Sequence, residues 1–152
     1  MKISNIYFLL LLAVALTASP SLFAQKDLQI SKVFEQYGKK RGVVMVELTN
    51  EVLENYHFTL FKSITIRNDP SAAIFIRECL LKDGTGAKKI KQVITNGIPT
   101  SIYLQLPRKE KDKDNRLVLF NESSKARSQI TLIYIETKSE TEDVLKLLLK
   151  KK

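Results

Sequence analysis

The chain has 152 residues, with 25 Lys+Arg against 16 Asp+Glu, a net charge of +9, one cysteine and no tryptophan. A single cysteine excludes an internal disulfide, so packing alone must hold the fold. The length suits one domain with its own core, and one histidine leaves little material for the common histidine-based hydrolase and metal sites.

Lys2 opens the chain with a positive charge, residues 6–18 are almost unbroken apolar, and Ser19-Pro20-Ser21 interrupts them before Leu22-Phe23-Ala24. That order is the layout of a secretory signal peptide. The apolar run is shorter than the roughly 20 residues a helix needs to cross a bilayer, and Pro20 blocks its extension. The expectation is a signal peptide over residues 1–24, cut after Ala24, and one α+β domain over residues 25–152. No cysteine lies at the cut to carry a lipid, so no membrane anchor is expected afterwards. The protein is expected to be exported, periplasmic or secreted, which removes cytoplasmic nucleic acid and nucleotides from its partners. The leader holds one base and no acid, so the mature chain stays basic.

Ile30, Val33, Phe34 and Tyr37 fall at the i, i+3, i+4, i+7 spacing of an amphipathic helix ending near Gly38. Residues 42–48 are β-branched and apolar and read as a strand, and residues 50–56 as one or two helical turns. Residues 60–67 alternate, with Ile64 and Ile66 against Ser63, Thr65 and Arg67, which predicts a strand with one wet face. Asp69 is a good N-cap with Pro70 at the first helical position, and Ala72, Phe75, Ile76 and Cys79 mark a buried helical stripe. Lys82-Asp83-Gly84 ends that helix, with Gly84 expected in the left-handed conformation.

Residues 89–95 and 101–106 read as strands joined through Asn96-Gly97; Pro99 follows so closely that a loop longer than two residues is expected. Residues 117–121 and 130–136 are further strands, the last apolar on both faces as a central strand should be. Ser139 and Glu142 form an S-x-x-E capping box for a final helix with Val144, Leu145, Leu148 and Leu149 inward, and Lys150, Lys151 and Lys152 suit its C-terminal dipole. Four late strands without intervening helices imply a largely antiparallel sheet with helices on one face, a late four-stranded meander and a C-terminal helix.

A helix ending Phe34-Glu35-Gln36-Tyr37-Gly38, a Gly42-Val-Val-Met-Val-Glu-Leu strand, a helix, a late meander and a short final helix behind a leader resemble the small exported Bacteroidetes proteins grouped as domains of unknown function. The resemblance covers most of the mature chain in pattern and implies location. It brings no activity, cofactor or site residue.

The candidate chemistry is thin. No H-E-x-x-H, G-x-S-x-G or C-x-x-C occurs, and no cofactor or metal ligand set is expected. His57 reads as a surface or half-buried structural residue. Cys79 reads as a buried inert thiol. Asp83-Gly84-Thr85-Gly86 has the flavour of a carboxylate loop but lacks the Asp-Thr-Gly order and the second copy of an aspartic protease, and reads as a turn. Residues 108–116 carry mixed charge without aromatics, unlike a nucleic-acid face, and read as a solvated hairpin loop. Arg108, Lys109, Lys111 and Lys113 in it are the candidate contact with an anionic surface. The expectation is a non-catalytic module that binds an envelope protein or an anionic envelope ligand; the alternative is a hydrolase using acids such as Glu51, Glu54 or Asp83.

Overall fold

The computed structural model describes residues 27–49, 53–108, 114–123 and 128–150. The expected signal peptide, Glu51, Lys109, Lys111 and Lys113 lie outside them. The elements in chain order are α1 (Ser31–Tyr37), β1 (Val44–Thr49), a 3-10 turn (Glu54–Tyr56), β2 (Phe58–Arg67), α2 (Pro70–Asp83), β3 (Lys88–Thr95), β4 (Ile98–Leu106), β5 (Asn115–Ser123), β6 (Gln129–Thr137) and α3 (Thr141–Leu149). All six strands form one antiparallel sheet in the order β1-β2-β6-β5-β4-β3. The meander β3 to β6 therefore runs inward from one edge until β6 pairs with β2. β6 is central, as its two apolar faces require.

Antiparallel partners share a face, so the register sorts the core. Ile64 and Ile66 on β2 lie opposite Leu132 and Ile130 on β6, and Phe120 and Val118 on β5 lie opposite Leu132 and Tyr134. These side chains form one cluster with Val33, Phe34 and Tyr37 of α1 and Ala72, Ala73, Ile76, Cys79 and Leu80 of α2. The alternate positions Leu117, Leu119 and Ile135 join Leu53, Phe58, Tyr103 and Val144 in a second cluster. The helices are thus divided: α1 and α2 cover one face, while α3 closes part of the other. Leu117, Leu119 and Ile135 are as apolar as their neighbours and need a cover of their own.

Local chemistry explains most boundaries. The Asp69 carboxylate accepts the Ala72 N–H at 2.9 Å, with Pro70 just inside the helix. Three local expectations are corrected. Gly84 is right-handed (φ −72°) and Gly86 is the left-handed residue (φ +78°); Gly84 is small because a Cβ there would sit 2.9 Å from the Leu80 carbonyl oxygen. Asn96 (φ 52°) and Gly97 (φ 78°) make a two-residue turn, of the kind that suits strand twist. Pro99 fits inside β4 beside the register shift at Val93/Ile94, where a missing N–H is tolerated. The capping box does not form: Glu140, not Ser139, is the N-cap of α3 and makes no side-chain cap bond. Ser139 is held outside the helix, its N–H donating to Thr137 Oγ1 at 3.0 Å and its carbonyl accepting from Asn115 Nδ2 at 2.9 Å.

Candidate functional site: a cleft between the second helix and the β3–β4 hairpin

β3 and β4 extend past the helical cover. Where α2 leans over them there is a cleft of about 410 Å³. Buried Leu80 and Leu104 with half-buried Ala87 and Ile102 supply apolar lining, Leu81 stands at its edge 80% exposed, and Glu78, Thr85, Lys89 and Gln92 are the exposed polar residues around it. Lys89 Nζ donates to Gln92 Oε1 at 2.8 Å. Arg77 braces one wall: its Nε donates to the Pro99 carbonyl at 2.9 Å, its Nη2 pairs with Glu122, and its guanidinium lies 5.7 Å from the Phe120 ring centroid. Partial burial lowers the Arg77 pKa without threatening its charge, since guanidinium pKa values lie so high. The volume is that of a small-ligand site, which is typically apolar with a few polar groups.

Lys89 lines the cleft, while Lys88 and Arg108 lie near the same end of the sheet without lining it. Lys88 on β3 pairs with Gln105 on β4, two residues before Pro107 and three before Arg108, and the Gly86 backbone lies against Pro107. Exposed Lys88, Lys89 and Arg108 therefore gather at one end of the sheet. Arg108 is also anchored, donating to Asn115 Oδ1 from Nε at 3.0 Å and from Nη2 at 2.7 Å.

The charged run 108–116 is not one loop. Asp114, Asn115 and Arg116 are buried, and the last two belong to β5. Arg116 Nη2 binds Asp27 at 3.1 Å, Nε donates to the Tyr134 hydroxyl at 3.1 Å and Nη1 to the Pro107 carbonyl at 3.3 Å. The Tyr134 hydroxyl donates to Glu136 Oε1 at 2.7 Å. Burial followed by the Glu136 carboxylate pushes the Tyr134 phenol far above its ordinary value. Burial alone would lower Arg116, but Tyr134 and Asp27 outweigh it and raise it. A buried guanidinium persists only when its donors are satisfied. No sequence signal separates Arg116 from the neighbouring surface charges.

Asp83 is structural. Its two carboxylate oxygens accept the Gln29 and Ile30 N–H groups at 2.7 and 2.9 Å, tying the start of α1 to the end of α2. Cys79 is buried, and burial followed by Asp83 raises its pKa, so the thiol is protonated and inert. His57 is exposed and left-handed (φ 56°); its carbonyl accepts from Thr137 Oγ1 and the Lys138 N–H. It borders a second recess of about 330 Å³ with Ser139 and Asp143. Among the described residues no hydrogen bond joins those three side chains, and Asp143 pairs with Lys146 at 3.8 Å. Nor does any group of three His, Cys, Asp or Glu among them converge as a metal site. Glu54 is exposed in the 3-10 turn between β1 and β2, whereas Asp83 is the last residue of α2.

The chain matches the family of unknown function DUF6108 over residues 17–148 and belongs to it. No curated protein and no solved structure matches the chain.

Proposed function

We propose that this chain is an exported, non-catalytic binding module of the cell envelope, and that it holds an anionic amphiphile with its apolar part in the cleft between α2 and the β3–β4 hairpin. The observation that carries the reading is the cleft: an apolar lining flanked by Lys89, with the Arg77 guanidinium in one wall. Apolar area supplies the affinity and the cations select the head. Arg108, together with Lys109, Lys111 and Lys113 that follow it in the sequence, is the proposed contact with an anionic surface. Four of the described acids have structural partners, which supports binding over hydrolysis. Asp83 caps α1, Asp114 accepts from Thr59, Glu122 holds Arg77, and Glu136 accepts from Tyr134. The apolar run behind Lys2 supports export.

The test uses protein recovered from a bacterial host that exports it, beginning at Gln25. Dodecanoate should bind saturably, more tightly than dodecanol. Leu81→Asp and Lys89→Glu, both at exposed positions, should each weaken it about tenfold, some 1.4 kcal/mol. Adsorption to anionic vesicles should fall as salt rises, as the Debye length shortens from about 30 Å at 0.01 M to about 8 Å at 0.15 M. Joint neutralisation of Arg108, Lys109, Lys111 and Lys113 should weaken it too. A full-length N-terminus in the membrane fraction would overturn export. Binding indifferent to Leu81→Asp and Lys89→Glu would overturn the cleft assignment, and turnover of an ester, peptide or glycan lost in His57→Ala would overturn the non-catalytic reading.

A further inference from the structure

The two edges of the sheet are built differently. β3 carries Lys88, Lys89 and Lys91, and its pairing with β4 is broken by two register shifts. Lysines and bulges are the devices by which an edge refuses another strand. β1 has neither. It pairs with β2 through all six residues without interruption, contains no Lys, Arg or Pro, and turns Val44 (56% exposed), Met45 and Val46 (both 38%) to solvent. Among the described residues its outer N–H and C=O groups face no other strand, on a mostly apolar edge.

We propose that β1 is the docking edge for a second copy of this chain, paired antiparallel about a two-fold axis to give a continuous twelve-stranded sheet. Charge singles out a second copy. Exposed Lys39, Lys40 and Arg41 precede the strand, whereas exposed Glu47 and Glu54 lie at or beyond its other end. Antiparallel pairing brings the basic end of each copy toward the acidic end of the other, and one strand complements itself. Parallel pairing would instead bring like charges together.

The register follows from symmetry. A two-fold axis normal to the sheet must pass beside one residue and its own copy, because only then do opposed side chains share a face. Centring on Glu47 opposes two carboxylates, which is unfavourable. Centring on Met45 sets Gly42 against the partner's Leu48 and wastes the apolar row. Centring on Val46 sets Val46 against the partner's Val46 and Val44 against the partner's Leu48, while Glu47 faces the partner's Met45 and keeps its bridge to Lys62 at 3.2 Å. The two clefts then lie at the far ends of the joined sheet, β3 and β4 being at the opposite edge from β1. Two such sites on one surface gain avidity.

Sedimentation equilibrium of the exported protein at micromolar concentration should give twice the monomer mass. Val46→Lys opposes two ammonium groups at the axis and should return the monomer mass with an unchanged circular dichroism spectrum. Val46→Cys should form a disulfide-linked dimer under mild oxidation, whereas Thr49→Cys should not, since the two copies of residue 49 are about 20 Å apart at roughly 3.4 Å per residue. Native Cys79 is buried and cannot contribute to the link. A monomer at these concentrations, a dimer that Val46→Lys leaves intact, or equal crosslinking at residues 46 and 49 would each overturn the proposal.

Discussion

Replacing Asp83 by alanine tests the distinction between a catalytic and a structural carboxylate. Asp83 accepts two backbone N–H groups, Gln29 at 2.7 Å and Ile30 at 2.9 Å, and those groups lead into α1. Without the carboxylate the start of α1 has no side-chain acceptor, since its N-cap Ile30 makes no cap bond of its own. Losing a capping oxygen costs about 0.5–2 kcal/mol, and hydrogen bonds to a charged acceptor contribute about 1.5–3 kcal/mol net. Asp83 is half-buried, so water partly replaces it and the low end applies. The expected loss is about 1.5 kcal/mol, on the order of 6 °C in Tm for a domain of this size. Asp83→Asn keeps one acceptor oxygen and should lose about half as much. Urea unfolding measures the loss, and hydrogen exchange locates it: the Gln29 and Ile30 amides should lose protection while those of β5 and β6 keep theirs. A change below about 0.3 kcal/mol, within the scatter of ordinary surface substitutions, would refute the reasoning.

Stability should also fall at high pH. Burial raises the pKa values of Tyr134, Tyr37 and Cys79, so the folded state holds protons that the unfolded chain releases, and stability present at neutral pH is lost from about pH 9 upward. Tyr134→Phe should make that alkaline decline shallower while costing about 1–3 kcal/mol at neutral pH, because Arg116 and Glu136 lose the hydroxyl they share; urea midpoints across pH would show both. Cys79 should resist thiol reagents in the native protein and react after denaturation, and Cys79→Ser should cost about 1 kcal/mol by placing a hydroxyl among apolar neighbours. Rapid labelling of native protein would show that the helical stripe faces elsewhere.

What the sequence determined by itself is local. Period and punctuation place every strand and helix to within a few residues: Asp69-Pro70 starts α2, the alternation at Ile64 and Ile66 makes β2, and the two apolar faces of residues 130–136 put β6 inside the sheet. These signals are legible because a strand repeats every two residues and a helix every 3.6. The tertiary structure alone decided which partners meet. Arg116 finds Asp27 at a separation of 89 residues and Asp83 finds Gln29 at 54; Arg116 reads as part of a solvated charged run and Asp83 as part of a turn, and neither reading names the partner. α3 carries an apolar face whichever side of the sheet it covers, and only the burial of Leu117, Leu119 and Ile135 assigned it to the side away from α1 and α2. The candidate cleft was illegible for the same reason. Leu80, Ile102 and Leu104 read as core in any amphipathic pattern, and only the lean of α2 over β3 and β4 leaves space above them, because hydrophobic periodicity records which residues avoid water and not how closely two elements approach.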